Sequence, residues 1–487
     1  MNMKNRTHLA LSTIGPTILE VGLIVCAGII YGALIVKSGT FAVGLTIGLV
    51  VFFVLSKSPT KTLLFLLFMI PFSMTTLMND PLIELPGMRP FLLMGAMTTV
   101  IILLNHEKGS RIPRLGLAVV LVLLFFFGLS AIRGLNHLDT ISFATGEQYS
   151  VSGYFLSFFV RPLVYMVPMF LVLKFVRSEK DIQSVIDGIV ITILLFSAYF
   201  LVYYTFEVKD KGNINLAWEY AGDALGLHKG QASAFYTVGF AILLARYFAK
   251  RNIVSLLAIF LSLPAVGFLY SRTAYVTVFL SLPLYLLFSR KVRLLPILVL
   301  FGILGGVLVS ETIMERISKG VAEESVDLIS AGRVNQQWIP LIEEYLASPE
   351  KLLLGQGLYS VYSTEAYHEG LFPGANHPHN MYVELLINTG LFGFIPILLL
   401  YGVLLKRVYN HLKGMHQGPM REYLCGALVS MICFFTGGMT RGSFFPQIEN
   451  AYFWAIAALA IVIMREVPTS AQGGPLRPAE AAVRGTS

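Results

Sequence analysis

LGLAVVLVLLFFFGLSAI, residues 115–132, runs eighteen residues without a charge, between Arg114 and Arg133. As a helix it is about 27 Å long at 1.5 Å per residue, close to the hydrocarbon thickness of a bilayer. Lipid offers no partner to backbone N–H and C=O groups, so such a run satisfies them within itself and reads as a spanning helix. Similar runs recur outward from it, near 14–36, 40–55, 62–78, 90–104, 154–176, 183–206, 231–248, 252–270, 272–289, 293–310, 380–405, 421–439 and 448–464. The second and fourth of the whole set are short, which puts the expectation at about 12–14 spans. Composition agrees: 55% of the 487 residues are hydrophobic and 13% charged, against about 25% charged in an ordinary soluble chain. The expected fold class is an all-α polytopic membrane protein.

The net charge of +8 does not indicate nucleic-acid binding, because Lys and Arg gather in short clusters between the apolar runs. Lys108, Arg111 and Arg114 form one such cluster, Arg246, Lys250 and Arg251 another, and Arg290, Lys291 and Arg293 a third. With the N-terminus placed in the cytoplasm, 23 of the 36 Lys and Arg fall inside. That bias orients both termini inward. The three cysteines, Cys26, Cys425 and Cys433, lie within apolar runs and indicate no disulfide framework. The run beginning near Ile14 lacks a small-residue cleavage site and reads as a retained first helix.

The organisation that follows is eleven spans over 1–310, a large extracytoplasmic loop over 311–379, C-terminal spans over 380–464 and a disordered cytoplasmic tail over 465–487. A loop that long is functional or disordered, and this one is patterned. Val334, Trp338, Leu341, Ile342, Tyr345 and Leu346 recur at helical spacing, with Gln336, Gln337, Glu343 and Glu344 on the other face. The pattern predicts an amphipathic helix ended by Ser348-Pro349, lying on the membrane surface or over a cavity.

Charged residues at the edge of a span are costly and mark function or pairing. Arg272 sits between two apolar runs in Tyr270-Ser271-Arg272-Thr273-Ala274. Arg161 precedes Pro162 in an aromatic stretch, and Arg333 precedes the amphipathic segment. The densest polar cluster is Asn376-His377-Pro378-His379-Asn380, at the mouth of the helix carrying Glu384. A histidine there is suited to general-base work near neutral pH. No Cys or Asp stands nearby to complete a metal site, and helix capping by Asn is the structural alternative. Glu384 is expected to pair with an arginine or to orient the histidine. No Gly-x-x-x-x-Gly-Lys phosphate loop occurs, and the outer loops carry no Asp-x-Asp pair. Arginines are the metal-free way to grip a diphosphate, through bidentate, always-charged guanidinium groups.

In order along the chain, Tyr270-Ser271-Arg272-Thr273-Ala274, Ala331-Gly332-Arg333 with Trp338, Leu354-Gly355-Gln356-Gly357-Leu358 and His379-Asn380 through Glu384 to Gly390-Leu391-Phe392-Gly393 resemble the O-antigen ligase and polymerase superfamily. The first half resembles it in hydropathy alone. His228 also stands in a segment where members often show Asn, and the span count exceeds the twelve expected of ligases. The resemblance implies a metal-independent glycosyltransferase of the bacterial inner membrane that needs no cofactor. Its donor would be an undecaprenyl-diphosphate-linked glycan and its acceptor a glycan or lipid A core, with other polysaccharide-assembly proteins as partners. It implies that Arg272 and Arg333 contact the diphosphate and that His379 activates the acceptor. Arg161, His377, Asn380, Glu384 and Trp338 are the expected substrate-binding residues. Polymerase is favoured over ligase. The rivals are a polysaccharide or lipid flippase, which would carry related halves and midplane charges, and an inactive scaffold.

Overall fold

The computed structural model describes residues 58–75, 95–99, 111–208, 226–294, 296, 333–372, 377–440 and 442–467. The spans expected at 14–36 and 40–55 lie outside them. So do nearly all of 293–310, most of 90–104, all of 311–332 and residues 468–487 of the tail. The chain divides into two compact units, Met1–Thr62 and Leu63–Ser487. Of the first, only 58–62 are described.

The protein is an all-α polytopic membrane protein, and among the described residues there is no strand. Among the described residues, six helices are long and apolar enough to cross a bilayer: α2 (Arg114–Thr145), α3 (Val151–Phe175), α4 (Glu179–Glu207), α5 (Lys229–Lys250), α10 (Met381–Gly414) and α12 (Ile448–Glu466). Shorter apolar helices are α1 (Pro59–Phe72), α6 (Ile253–Phe268) and α7 (Arg272–Phe288). Between α7 and α10 come α8 (Ile339–Ala347) and α9 (Pro349–Leu354), and α11 (Pro419–Gly437) precedes α12.

Helices α5 and α12 form the centre, with 78% and 89% of their apolar windows buried. Helix α5 packs against α4, α6, α7 and α11. Hydrophobic attraction between helices vanishes in lipid, so small residues and hydrogen bonds hold them together. Gly426 lets α11 close on Ala241 and Ala245 of α5. Ser430 donates to the Val238 carbonyl at 2.6 Å, and Thr237 bonds Thr277 at 3.0 Å. The outer helices keep an exposed apolar stripe. Leu117, Leu121 and Phe125 of α2 recur every four residues, as do Ile395, Leu399 and Val403 of α10. Such stripes face lipid.

The segment 333–372 has its own small core. Leu341 and Tyr345 of α8 pack with Val361, Tyr362 and Phe372 onto Ile141, Tyr154, Val383 and Ile387. The amphipathic pattern is only half realised. Leu341 and Tyr345 are buried, but Ile342 and Leu346 are exposed. Gln337, expected on the polar face, is buried, and its amide donates to the Leu371 carbonyl at 3.3 Å. The cause is local: residues Val334–Trp338 form a π-helical turn, which shifts the register of everything after it. Ser348 ends α8 and caps α9.

A glycine-rich strap fixes this segment to the bundle. Helix α10 breaks at Gly390, whose φ of 60° and ψ of −171° are not helical, and the break frees carbonyls of the preceding turn. Gln356 N–H donates to the Ile387 carbonyl at 2.8 Å and Gly357 N–H to that of Asn388 at 3.1 Å, while Leu358 N–H reaches Ser130 of α2 at 2.9 Å. Arg133 clamps the Gly355 carbonyl through Nε and Nη2, at 3.0 and 2.8 Å. Any Cβ on Gly357 would lie 2.2 Å from the Gly134 nitrogen. The Leu354–Leu358 and Gly390–Gly393 motifs, distant in sequence, are therefore two halves of one contact.

Candidate functional site

One end of the bundle holds a cavity of about 620 Å³. Its wall draws on α3 (Phe158, Arg161, Tyr165), the start of α5 (His228, Gln231), the strap (Leu358, Tyr359), the turn His377–His379, the first turns of α10 (Glu384, Ile387, Asn388) and the segment Phe445–Glu449.

Arg161 follows a π-helical turn, Leu156–Val160, and precedes Pro162. A π turn inserts an extra residue and re-aims what comes next. The Arg161 guanidinium lies 3.9 Å from the Met74 sulfur, which Tyr165 approaches at 4.0 Å.

The histidine turn is locked from both sides. Asn380 caps α10, its side-chain oxygen accepting from Tyr382 N at 2.9 Å and Val383 N at 3.2 Å. Trp338 lies outside the cavity wall, and its indole N–H donates to the Pro378 carbonyl at 2.7 Å. His377 Nδ1 accepts from the His379 backbone N–H at 3.1 Å. A neutral His377 with Nδ1 so engaged carries its proton on Nε2 and offers a donor, not a base. The two rings lie 4.1 Å apart. His379 itself has a φ of 54°, a left-handed backbone that costs a non-glycine residue about 1–3 kcal/mol. Tyr359 has a φ of 60° and lines the same cavity. Tyr270, two residues before Arg272, has a φ of 46°. Two further left-handed residues, Arg251 and Arg290, follow the ends of α5 and α7, away from the cavity.

Among the described residues, three carboxylates reach the cavity: Glu147, Glu384 and Glu449. Glu384 forms no ion pair among the described residues; its carboxylate accepts from the Ser443 hydroxyl at 3.3 Å. Asn450 positions that segment, donating to the carbonyls of Ser443 and Phe445 and accepting from Trp454 Nε1 at 3.0 Å. The Tyr149 hydroxyl donates to Glu147. Burial, and then the Glu147 carboxylate, push the Tyr149 hydroxyl up to about 12, so it remains a donor at physiological pH. Burial, and then the charge of Glu384, hold the Tyr359 hydroxyl well above its ordinary range.

Arg272 and Arg333 do not line this cavity. Arg272 opens α7 after its cap Ser271. The next residue, Thr273, bonds Thr440 through their hydroxyls at 2.6 Å. Arg333 Nη1 donates to the Thr440 carbonyl at 3.5 Å. Thr440 thus binds Arg333 and Thr273, the neighbour of Arg272, and Met381 N–H bonds Gly438 at 2.9 Å to bring in the histidine turn. Thr273, Ser443 and Glu449 line a second hollow of about 30 Å³. Glu449 is common to both walls.

Of the residues singled out from sequence, Arg161, His377, His379 and Glu384 share the cavity. Arg272 and Arg333 lie outside its wall, their segments joined through Thr440, and Trp338 and Asn380 shape the turn. Sequence reasoning did not single out Glu147, Tyr149, Tyr359, Gln447 or Glu449 as site residues. Phe445-Pro446-Gln447-Ile448-Glu449-Asn450 offered a signal, a polar patch at the mouth of an apolar run like that of His377–Asn380. His228 takes the helix-capping role, its Nδ1 accepting from Gly230 N at 3.3 Å while Gln231 accepts from His228 N at 3.0 Å. A ring nitrogen serves there in place of an Asn oxygen.

Residues 256–398 match the family model described as O-antigen ligase. The matched stretch runs from α6 into α10 and contains Arg272, Arg333, Trp338, His377, His379, Asn380 and Glu384; Arg161 lies outside it. No curated protein matches the chain.

Proposed function

With the O-antigen ligase match spanning both arginines and the histidine turn, we propose that this protein is a membrane glycosyltransferase. It moves a glycan from a polyprenyl diphosphate to a sugar hydroxyl at the outer face of the inner membrane, as a polymerase of surface polysaccharide. The observation that supports this reading is that Arg333 and Thr273, next to Arg272, both bind Thr440, while Met381, two residues after His379, is tied to Gly438, beside a cavity sized for a ligand.

The chemistry follows from the arrangement. The acceptor oxygen attacks the anomeric carbon as the bond from that carbon to the phosphate oxygen breaks. The electron pair leaves with the polyprenyl diphosphate. Arg272 and Arg333 stabilise the charge that grows on it, by bidentate hydrogen bonds in a partly dry site. His379 takes the acceptor proton, and His377 donates from Nε2 to an oxygen of either substrate. The outward orientation rests on the charge bias of the connecting segments.

Purified full-length protein in nanodiscs, given a synthetic polyprenyl-diphosphate oligosaccharide, should release polyprenyl diphosphate one-for-one with lengthened glycan. Movement of intact donor between leaflets without cleavage would replace the enzyme with a flippase. A cysteine at exposed Glu369 should react with an impermeant thiol reagent once the outer membrane is permeabilised. Labelling that needs a broken inner membrane would reverse the orientation.

A further inference from the structure

The cavity and the arginine pair differ in composition. Within the cavity wall Glu147, Glu384 and Glu449 face one arginine and three histidines, whereas Arg272 and Arg333 lie outside it. The three carboxylates disfavour a diphosphate in this chamber, because like charges repel. The cavity also has an aromatic wall. The Tyr359 ring meets that of Phe158 with centroids 4.3 Å apart, and Phe158 meets Tyr149 at 5.1 Å. Tyr359 is held there by a left-handed backbone, which a loop adopts only when its surroundings dictate it. Flat aromatic faces beside carboxylates and amides suit a pyranose, which presents C–H bonds on its faces and hydroxyl groups at its rim. The volume falls within the range of about 300–1,000 Å³ of ligand sites.

We infer that this cavity is the acceptor subsite, that Tyr359 and Phe158 are its stacking platform, and that it takes neutral or amino sugars and rejects acidic ones. The inference rests on the glycosyltransferase reading and adds the class of acceptor. Hydroxyl or ammonium groups of the sugar donate to Glu147 and Glu449, and a carboxylate on the sugar meets repulsion from both. The donor then approaches from the Thr440 side. The anomeric carbon comes to lie between the two regions, next to the histidine turn.

The test is binding, measured apart from transfer. Saturation-transfer NMR on full-length protein in nanodiscs is run with trisaccharides of glucose, of glucosamine and of galacturonate. At least one of the first two should bind, and the galacturonate trimer at least about tenfold more weakly. Glu449→Gln should narrow that gap. Tyr359→Ala should weaken binding about tenfold and Tyr359→Phe should keep it, because the ring stacks and the hydroxyl does not. If Tyr359→Ala fails to fold, the order of the three sugars on the native protein decides. Equal or tighter binding of galacturonate, or no binding by any of the three, overturns the inference. Sugar binding in the stated order without transfer from the lipid donor would instead strike the glycosyltransferase reading.

Discussion

The two ends of the bundle use the same charged residue types in opposite ways. At the end away from the cavity, Arg246 of α5 pairs with Asp187 of α4 and donates to Tyr423 of α11 at 3.4 Å. Lys291 and the Tyr285 hydroxyl both bind Glu422. Arg421, 2% exposed, donates to the carbonyls of Phe288 and Ser289 at 3.1 and 3.3 Å. Charge there is matched locally and ties four helices together. At the other end both signs gather around open space: Glu147, Glu384 and Glu449 line the cavity with Arg161, while Arg272 and Arg333 lie outside its wall. The first arrangement holds helices together, and under the proposed function the second receives a substrate.

The sharpest test of the second arrangement is the histidine turn. His379→Ala should lower turnover about 10²–10⁴-fold with donor binding kept, while His377→Ala should lose far less, since its Nδ1 is engaged by the His379 N–H. The reverse ranking in a donor-saturated assay would move the base to His377. Next come the arginines. Arg272→Ala and Arg333→Ala should each cost about 10²–10³-fold in turnover, with thermal stability unchanged. Lysine should rescue poorly, because an ammonium cannot form the bidentate fork. Full activity of Arg272→Lys would reduce that residue to a general positive field.

The paired end should respond in the opposite sense. Glu422→Ala leaves Lys291 and the Tyr285 hydroxyl without their shared acceptor, and breaking a buried pair costs about 3–5 kcal/mol. The melting temperature should fall clearly while turnover per folded molecule stays within about twofold. A large loss of turnover in protein that remains folded would mean that the two ends are coupled and that their contrast is not one of stability against function.

Much of this contrast was hidden in the sequence for physical reasons. Spans such as 115–132 are legible because run length alone decides whether a helix crosses lipid. The histidine turn is legible because His and Asn are out of place at the mouth of an apolar run. Arg246, Lys291 and Arg421 looked like topology signals, because their partners lie 59 to 133 residues away. Tyr359 carried no signal at all: its role depends on a positive φ and on rings from α3. The register of 334–346 failed at Gln337 because a π turn leaves no periodic trace.

The smallest expected effect is that of chelation, which should be none. The site end holds carboxylates and histidines, so a divalent cation is the natural competitor to arginine for a diphosphate. The commitments of those donors argue otherwise. Glu384 is engaged by Ser443, His377 Nδ1 by the His379 N–H, and the Asn380 oxygen by two backbone amides of α10. Glu449 stands between the two hollows, with no second carboxylate on the wall of the smaller one. A cation bridging diphosphate to protein on the Thr440 side would meet two guanidinium groups and be repelled. Turnover measured before and after exhaustive treatment with EDTA should therefore agree. Loss of activity that returns with magnesium or manganese would replace the arginine pair as the diphosphate anchor and recast the carboxylates as metal ligands.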